Sequence, residues 1–201
     1  MVRILVASGN RKKAAEIAAI LAEGGDGHFE VLTLADVPAA PSPEETGSTF
    51  LENARIKARA AAAASGLPAL ADDSGLCVDA LDGAPGVLSA RYAEGGDGAR
   101  CAKLLLAMRD VPRGRRGARF ACAAVFALPD GREIAAEGTC EGEIALAPCG
   151  EGGFGYDPVF LLPDGRTMAE LAPGEKAAVS HRGRALRALA PRLLQFLQAR
   201  E

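Results

Sequence analysis

The chain has 201 residues, is 49% hydrophobic but only 4% aromatic with no tryptophan, and carries 26 acidic against 23 basic residues for a net charge of −3. That length supports one well-formed core or two closely packed lobes, and the composition is that of a folded chain, not a disordered one. The slight acidity excludes the electrostatic footprint of a protein that binds long nucleic acid, so any anionic partner is small and held locally. No apolar run approaches the roughly 20 residues that a bilayer span needs, and Met1–Val6 turns polar too soon for a signal peptide, which predicts a cytoplasmic protein with no membrane partner. The five cysteines, at 77, 101, 122, 140 and 149, show no CxxC spacing and suggest neither a disulfide framework nor a zinc site. Only 5 of the 23 basic residues are lysines. A lysine is a compact, mobile charge suited to phosphate oxygens, so each of them is worth following.

Arg3–Ala7 reads as a buried first strand, Ser8-Gly9-Asn10 as a turn, and the next residues as a helix to about Leu21 with Ala14, Ile17, Ala18 and Leu21 on one face. This opening puts Ser8, Gly9, Asn10 and the basic trio Arg11, Lys12 and Lys13 at a helix N-terminus, where free N–H groups and the helix dipole favour an anion. Cations are unfavourable in a first helical turn. A bound phosphate gives them a reason, and a solvated basic turn is the alternative. After the proline-rich residues 38–43, Glu44-Glu45-Thr46-Gly47 leads into a helix from Thr49 to about Ser65, with Thr49 and Glu52 at capping-box spacing. Leu51, Ala54, Ala58 and Ala62 form its core stripe, and Asn53 and Lys57 lie one turn apart on another face. Taken alone, that pair and the two glutamates read as solvated groups.

Leu67–Ala71 is a short apolar run ending in Asp72-Asp73-Ser74-Gly75, which reads as a buried strand that stops at two carboxylates. In open α/β sheets ligands bind beyond the carboxyl ends of strands, and carboxylates there suit a hard cation. Successive strand side chains point to opposite faces, so one aspartate is the ligand and the other a turn or cap partner. An Asx-turn capped by Asp and Ser is the alternative.

Gly83–Gly86 is a tight turn leading into Val87–Tyr92, Gly98–Asp110 a helix built on Leu104, Leu105 and Met108, and Arg109–Arg119, with five arginines, a solvated linker. Arg119–Leu128 is apolar on both faces and reads as a central strand, followed by a Pro-Asp-Gly turn. The return strand alternates, with Glu133, Glu137, Glu141 and Glu143 on one face and Ile134, Ala136, Cys140 and Ile144 on the other, so the sheet is mixed. A strand at Pro158–Leu162 and a final helix from about His181, burying Leu186, Leu189, Leu193 and Leu197 and kinked or restarted at Pro191, complete the chain.

Gly150–Gly155 matches GxGxxG, but no strand precedes it and Pro158 bars a helix after it, so it is no dinucleotide loop. It lifts Phe154, Tyr156 and Asp157 to where a ring can stack on a base, unless it is simply a glycine-rich hairpin with a core aromatic. Lys176, Ser180, His181 and Arg182 gather at the start of the last helix, where His181 is either a buried structural histidine or part of an anion or base-edge reader. Metal, phosphates and a base are the simplest ligand common to these groups.

Together, Ser8–Lys13, Glu44–Gly47, Phe50–Ala54, Ala71–Leu76, Gly83–Gly86, Ser89–Tyr92, Gly152–Pro158 and Ser180–Arg182 resemble the inosine/xanthosine triphosphate pyrophosphatase family. Ser8 stands where many of its members have threonine, which keeps the hydroxyl. The resemblance implies a cytosolic homodimer that splits ITP, dITP or XTP into the monophosphate and pyrophosphate with Mg²⁺. It assigns the triphosphate to Ser8, Gly9, Asn10, Arg11, Lys12 and Lys13, the metal to Glu44 and Asp73, and the proton-accepting role to Asp73. It further assigns nucleotide contacts to Asn53, Lys57, Ser74 and Lys176, the base pocket to Phe154, Gly155, Tyr156 and Asp157, and the 6-keto edge of the purine to His181 and Arg182. The expected architecture is α/β: a mixed twisted sheet flanked by helices, two lobes with a nucleotide cleft between them, in one domain over residues 1–201. A pyrophosphatase for pyrimidine or other modified nucleotides and a nucleotide sensor without catalysis are the competing readings.

Overall fold

The computed structural model describes residues 2–24, 29–37 and 43–198; most of the proline-rich segment lies outside them. Among the described residues six strands form one mixed sheet in the order β2-β1-β3-β4-β5-β6, with β1 Val2–Val6, β2 Phe29–Thr33, β3 Ala69–Val78, β4 Gly117–Ala127, β5 Glu133–Ile144 and β6 Phe160–Leu161. β1 runs parallel to β2 and to β3, with Leu5 opposite Ala69 and Val6 opposite Leu70, whereas β6 runs antiparallel to β5. The α-helices are α1 Arg11–Gly24, α2 Phe50–Ser65, α3 Gly96–Ala107, α4 Pro173–Val179 and α5 His181–Gln198. The mixed α/β architecture read from the sequence is therefore present. The five-residue β2 and the seven-residue α4 are additions to it, and Gly86–Arg91 is a 3₁₀ segment. α5 continues through Pro191 as one helix and does not restart there.

The chain divides into two compact units whose boundaries fall inside β3, β4 and β5 and between α4 and α5. The first comprises residues up to Asp73, Cys122–Gly138 and the residues from His181 onward. Its core is built largely of alanine: Ala54, Ala58, Ala61 and Ala62 of α2 meet Leu5, Ala69, Ala71, Ala123 and Val125 of the strands and Ala7 just after β1. Small side chains let helix and sheet approach closely, which is how a chain poor in aromatics fills a core at protein density. α2 is delimited as its sequence demands. Thr49 accepts from the Glu52 amide while the Glu52 carboxylate accepts from the Thr49 amide, and Gly66 closes the helix in the left-handed conformation. α1 packs on α5, whose Ala185, Leu186, Leu189 and Leu193 are buried.

The second unit, Ser74–Ala121 with Thr139–Ser180, has its own core around Leu76, Val78, Leu104, Met108, Phe120, Ile144, Tyr156 and Phe160. The alternation in β5 is realised in its later part, where Glu137, Glu141 and Glu143 are exposed and Cys140 and Ile144 buried, but not at its start, where Glu133, Ile134 and Ala136 are all half-buried and Glu133 pairs with Arg55 and Arg59. The arginine-rich stretch before β4 is not simply a solvated linker. Arg116 is 3% exposed, and its guanidinium donates to the carbonyls of Met108, Val111, Ile144 and Ala145 at 2.6–3.1 Å. It thereby ties the end of α3 to the end of β5. Arg116→Met keeps most of the volume but strips those acceptors of a charged donor, so urea unfolding should show a loss of about 2 kcal/mol; an unchanged midpoint would mean that the four carbonyls are equally well satisfied by water.

Candidate active site

In the first unit the functional side chains are arranged by β3. The strand does not end at the double aspartate but runs on to Val78, so the Asx-turn is absent and Asp72 and Asp73 point to opposite faces of the sheet. On one face Asp72 is fully buried, accepts from the Arg182 guanidinium at 3.1 Å, lies 3.8 Å from Lys13 Nζ and 3.9 Å from Cys122 Sγ. Arg182 also reaches Glu16 of α1 at 2.5 Å. Burial disfavours the Asp72 charge, but Lys13, Arg182 and Lys57 outweigh it and hold the carboxyl below the ordinary aspartate value. Burial likewise works against the charge on Arg182, and Asp72 with Glu16 more than restores it.

On the opposite face Asp73 accepts from Asn53 Nδ2 at 3.2 Å through one oxygen and from Lys57 Nζ at 3.3 Å through the other. Lys57 donates at the same time to Glu45 at 2.8 Å. Here burial raises Asp73, the charges of Lys57 and Lys13 do not fully offset it, and Glu45 adds to the rise, so this carboxyl titrates above the ordinary value. For Lys57, burial is overcome by Asp73, Asp72 and Glu45, and its proton is held more tightly than usual. Two carboxylates adjacent in sequence thus have their proton affinities pushed apart, a pattern found where acid and base roles are divided.

Asn53 and Lys57 are not the solvated pair their spacing alone suggests, because they sit on the side of α2 that faces β3; Asn53 is 1% exposed. The Glu44–Gly47 motif has a matching steric logic. The Gly47 amide donates to Asn53 Oδ1 at 2.8 Å, and a Cβ on Gly47 would stand 2.7 Å from that oxygen and 2.6 Å from Glu52 Cβ. Only glycine lets the chain fold back over the first turn of α2 and bring Glu45 to Lys57. Glu44, the metal ligand suggested by resemblance, is exposed, whereas its neighbour Glu45 is the one drawn to the Asp73 cluster.

At the start of α1, Asn10 Oδ1 accepts from the Lys12 and Lys13 amides at 3.0 and 3.2 Å. Two of the first-turn donors expected to face an anion are therefore taken by the cap itself. Gly9, Arg11 and Lys12 are exposed, Ser8 is half-buried, and Lys13 turns in toward Asp72. His181 and Arg182 are buried at 6% and 1% exposure. Arg182 is held by Asp72 and Glu16. Glu16 and Cys122 carried no signal in the sequence, since each joins the cluster only through a residue distant in the chain.

In the second unit the glycine-rich loop is organised by Asp157, which is 3% exposed. It accepts from the Phe154 amide at 2.8 Å and from Lys176 Nζ at 2.7 Å, and that ammonium lies 4.4 Å from the Phe154 ring centroid. A Cβ on Gly153 would stand 2.0 Å from Asp157 Oδ2, in a backbone conformation with φ of +72°. Glycine is therefore required beside the carboxylate. Phe154 and Gly155 are half-buried. Tyr156, expected in a base pocket, is a core residue whose hydroxyl donates to the Ser89 carbonyl at 2.9 Å. Ser74, at the start of this unit, is half-buried on β3.

Among the described residues no group of three His, Cys, Asp or Glu side chains converges as a ready-made metal cage. Asp73 and Glu45, joined through one ammonium, nevertheless form a hard oxygen-donor pair, which suits a magnesium ion that takes one or two carboxylates and completes its shell with water and phosphate oxygens.

Residues 4–192 match the model of the Ham1 family. A dITP/XTP pyrophosphatase of Nocardia farcinica is 54% identical over 197 residues, spanning 96% of this chain and 95% of its own. One of Geobacillus kaustophilus is 53% identical over 189 residues, spanning 92% and 91%. Of solved structures, a HAM1 protein from Coxiella burnetii matches with a TM-score of 0.87 at 45% identity, covering 97% of this chain and 100% of that one. A nucleoside-triphosphatase / dITP/XTP pyrophosphatase from Mycobacterium abscessus matches with a TM-score of 0.75 at 50% identity, covering 94% and 100%.

Proposed function

The chain belongs to the Ham1 family, and from that premise we propose that it hydrolyses deaminated purine nucleoside triphosphates (dITP, XTP and ITP) to the monophosphate and pyrophosphate. The observation that carries this reading is the Asp73 cluster, in which Asn53 and Lys57 fix both oxygens of a buried carboxylate whose proton affinity is raised. Such a group is suited to take a proton from water as that water attacks the α-phosphorus. The α,β-anhydride bond then breaks, and its electron pair leaves with pyrophosphate.

Glu44 and Glu45, beside Asp73, are the residues that would hold a magnesium ion, which when bound supplies charge neutralisation on the phosphates while Asp73 stays available as the base. Lys13, Lys12 and Arg11 add cationic charge for the triphosphate, and Lys57 orients Asp73. Ser8 and Asn10 order the turn that precedes α1. Phe154 supplies a ring for the purine, and Asp157 and Lys176 hold that ring's backbone and face. His181 remains assigned to the 6-keto edge, while Arg182 serves to anchor Asp72.

Chromatographic analysis of the products tests the reaction. ITP with Mg²⁺ should give IMP and pyrophosphate; IDP and orthophosphate as first products would sink the mechanism. Binding without turnover would favour the sensor, and faster turnover of dTTP or UTP than of ITP would favour a pyrimidine enzyme.

A further inference from the structure

The loop Phe154–Asp157 owes its shape to a residue outside every motif considered so far. Asp97 lies in the first turn of α3, where a negative charge is favoured by the helix dipole. Its Oδ2 accepts from the Gly155 amide at 2.7 Å. Cys101, one turn further along the same helix face, donates its thiol to the Gly155 carbonyl at 3.3 Å. Both backbone groups of one loop glycine are thus taken by residues i and i+4 of α3. Arg100 holds the other oxygen of Asp97 and also donates to the Ala90 carbonyl at 3.1 Å. Its neighbour Ser89 is the acceptor for the Tyr156 hydroxyl. Gly155 adopts φ of +65° and lies between the stacking ring of Phe154 and the anchored ring of Tyr156, so a shift of its amide swings Phe154.

We propose that Asp97 is a positioning residue for purine recognition: by gripping the Gly155 amide it sets the Phe154 ring where a base can stack. The proposal rests on the reading of this loop as the base-binding element. Asp97 touches neither phosphate nor metal in that reading, so it acts on affinity for the base and leaves the chemical step alone. What matters is an acceptor at one position, not the negative charge.

The test compares Asp97→Ala, Asp97→Glu and Asp97→Asn with the wild-type enzyme. Measured are KM and kcat for ITP and the inhibition constants of IMP, which carries a base, and of inorganic tripolyphosphate, which does not. Asp97→Ala should raise KM and the IMP constant by about tenfold, the scale of one hydrogen bond to a charged acceptor. kcat should change by less than about twofold and the tripolyphosphate constant should not move. Asp97→Glu, which keeps the charge but displaces the acceptor by a methylene, should resemble Asp97→Ala. Asp97→Asn, whose amide oxygen can still accept from Gly155 while its NH2 gives up the Arg100 contact, should restore part of the loss. Equal weakening of IMP and tripolyphosphate, wild-type behaviour of Asp97→Glu, or failure of Asp97→Asn to rescue would each overturn the proposal. Absence of IMP binding in the wild-type enzyme would instead overturn the reading on which it rests. Asp97 is half-exposed, and a thermal melt of each variant checks that the fold is kept.

Discussion

Asp73→Asn should lower kcat for ITP by at least about 10²-fold while nucleotide affinity changes far less, because a general base and charge contact to the reacting centre is lost only where the transition state uses it. The substitution is nearly isosteric. An Asn side chain can still accept from Lys57 or Asn53, but it takes no proton and pairs with no cation. Steady-state kinetics alongside equilibrium binding of a non-hydrolysable ITP analogue separates the two effects. Turnover within tenfold of wild type would place the centre elsewhere, with Glu45 the next carboxylate on the same ammonium. A parallel collapse of binding would show that Asp73 holds the nucleotide and does not drive its cleavage.

Asp72→Asn should act on stability. The wild-type carboxylate faces Arg182, Lys13 and a thiol in a site with no exposed side-chain surface of its own. Removing its charge leaves the 99% covered Arg182 with Glu16 as its remaining acidic neighbour. Breaking a buried pair in this way costs about 3 kcal/mol or more. The cost carries a pH signature. The folded-state affinity of Asp72 for a proton is depressed, so its contribution is present in full above the unfolded aspartate value of about 3.9 and is lost as pH falls below it toward the folded value. Urea titrations at pH 7 and at about pH 3 should therefore show a large gap between wild type and variant at the higher pH and a smaller one at the lower. A gap that is the same at both, or absent at pH 7, would mean that Asp72 is not the charge balancing Arg182.

The parts of the fold and site that were legible in the sequence are those written in local spacing. The Thr49–Glu52 box, the alternation in the later part of β5 and the apolar face of α5 each depend on residues within a turn or two of one another, and each is present. Lys13 was likewise visible as a cation in a place cations avoid. What local spacing does not reach is pairing across the chain. Arg182 meets Asp72 from 110 residues away and Glu16 from 166, so the helix start it occupies does not by itself announce the buried counter-charge that the fold supplies. Arg116 was hidden in the same way, because a run of arginines looks solvated until one of them finds carbonyls at two element ends. The double aspartate misled through its flanks. Ser74-Gly75 resembles a turn, yet backbone pairing carries the strand through both residues.

That continuation makes the alignment of β3 a chemical switch as well as a structural one. Leu5 opposite Ala69 and Val6 opposite Leu70 set which of two neighbouring acids looks toward α2 and which toward α1 and α5. Strand side chains repeat every two residues, so a slip by one position turns the whole set over. A single-residue insertion between Ala69 and Asp72 would put Asp72 in the place facing Lys57 and carry Asp73 one step beyond Arg182, whereas a deletion would put Asp73 against Arg182 and draw Asp72 back to the level of Ala71. Such an indel keeps every residue type of the motif, yet it turns Leu76 and Val78 out of the core of the second unit and leaves the two carboxylates on the wrong sides of the sheet. Length between Ala69 and Asp72 is thus constrained by the core and by the roles proposed for the two acids, at a point where a surface loop would tolerate either change.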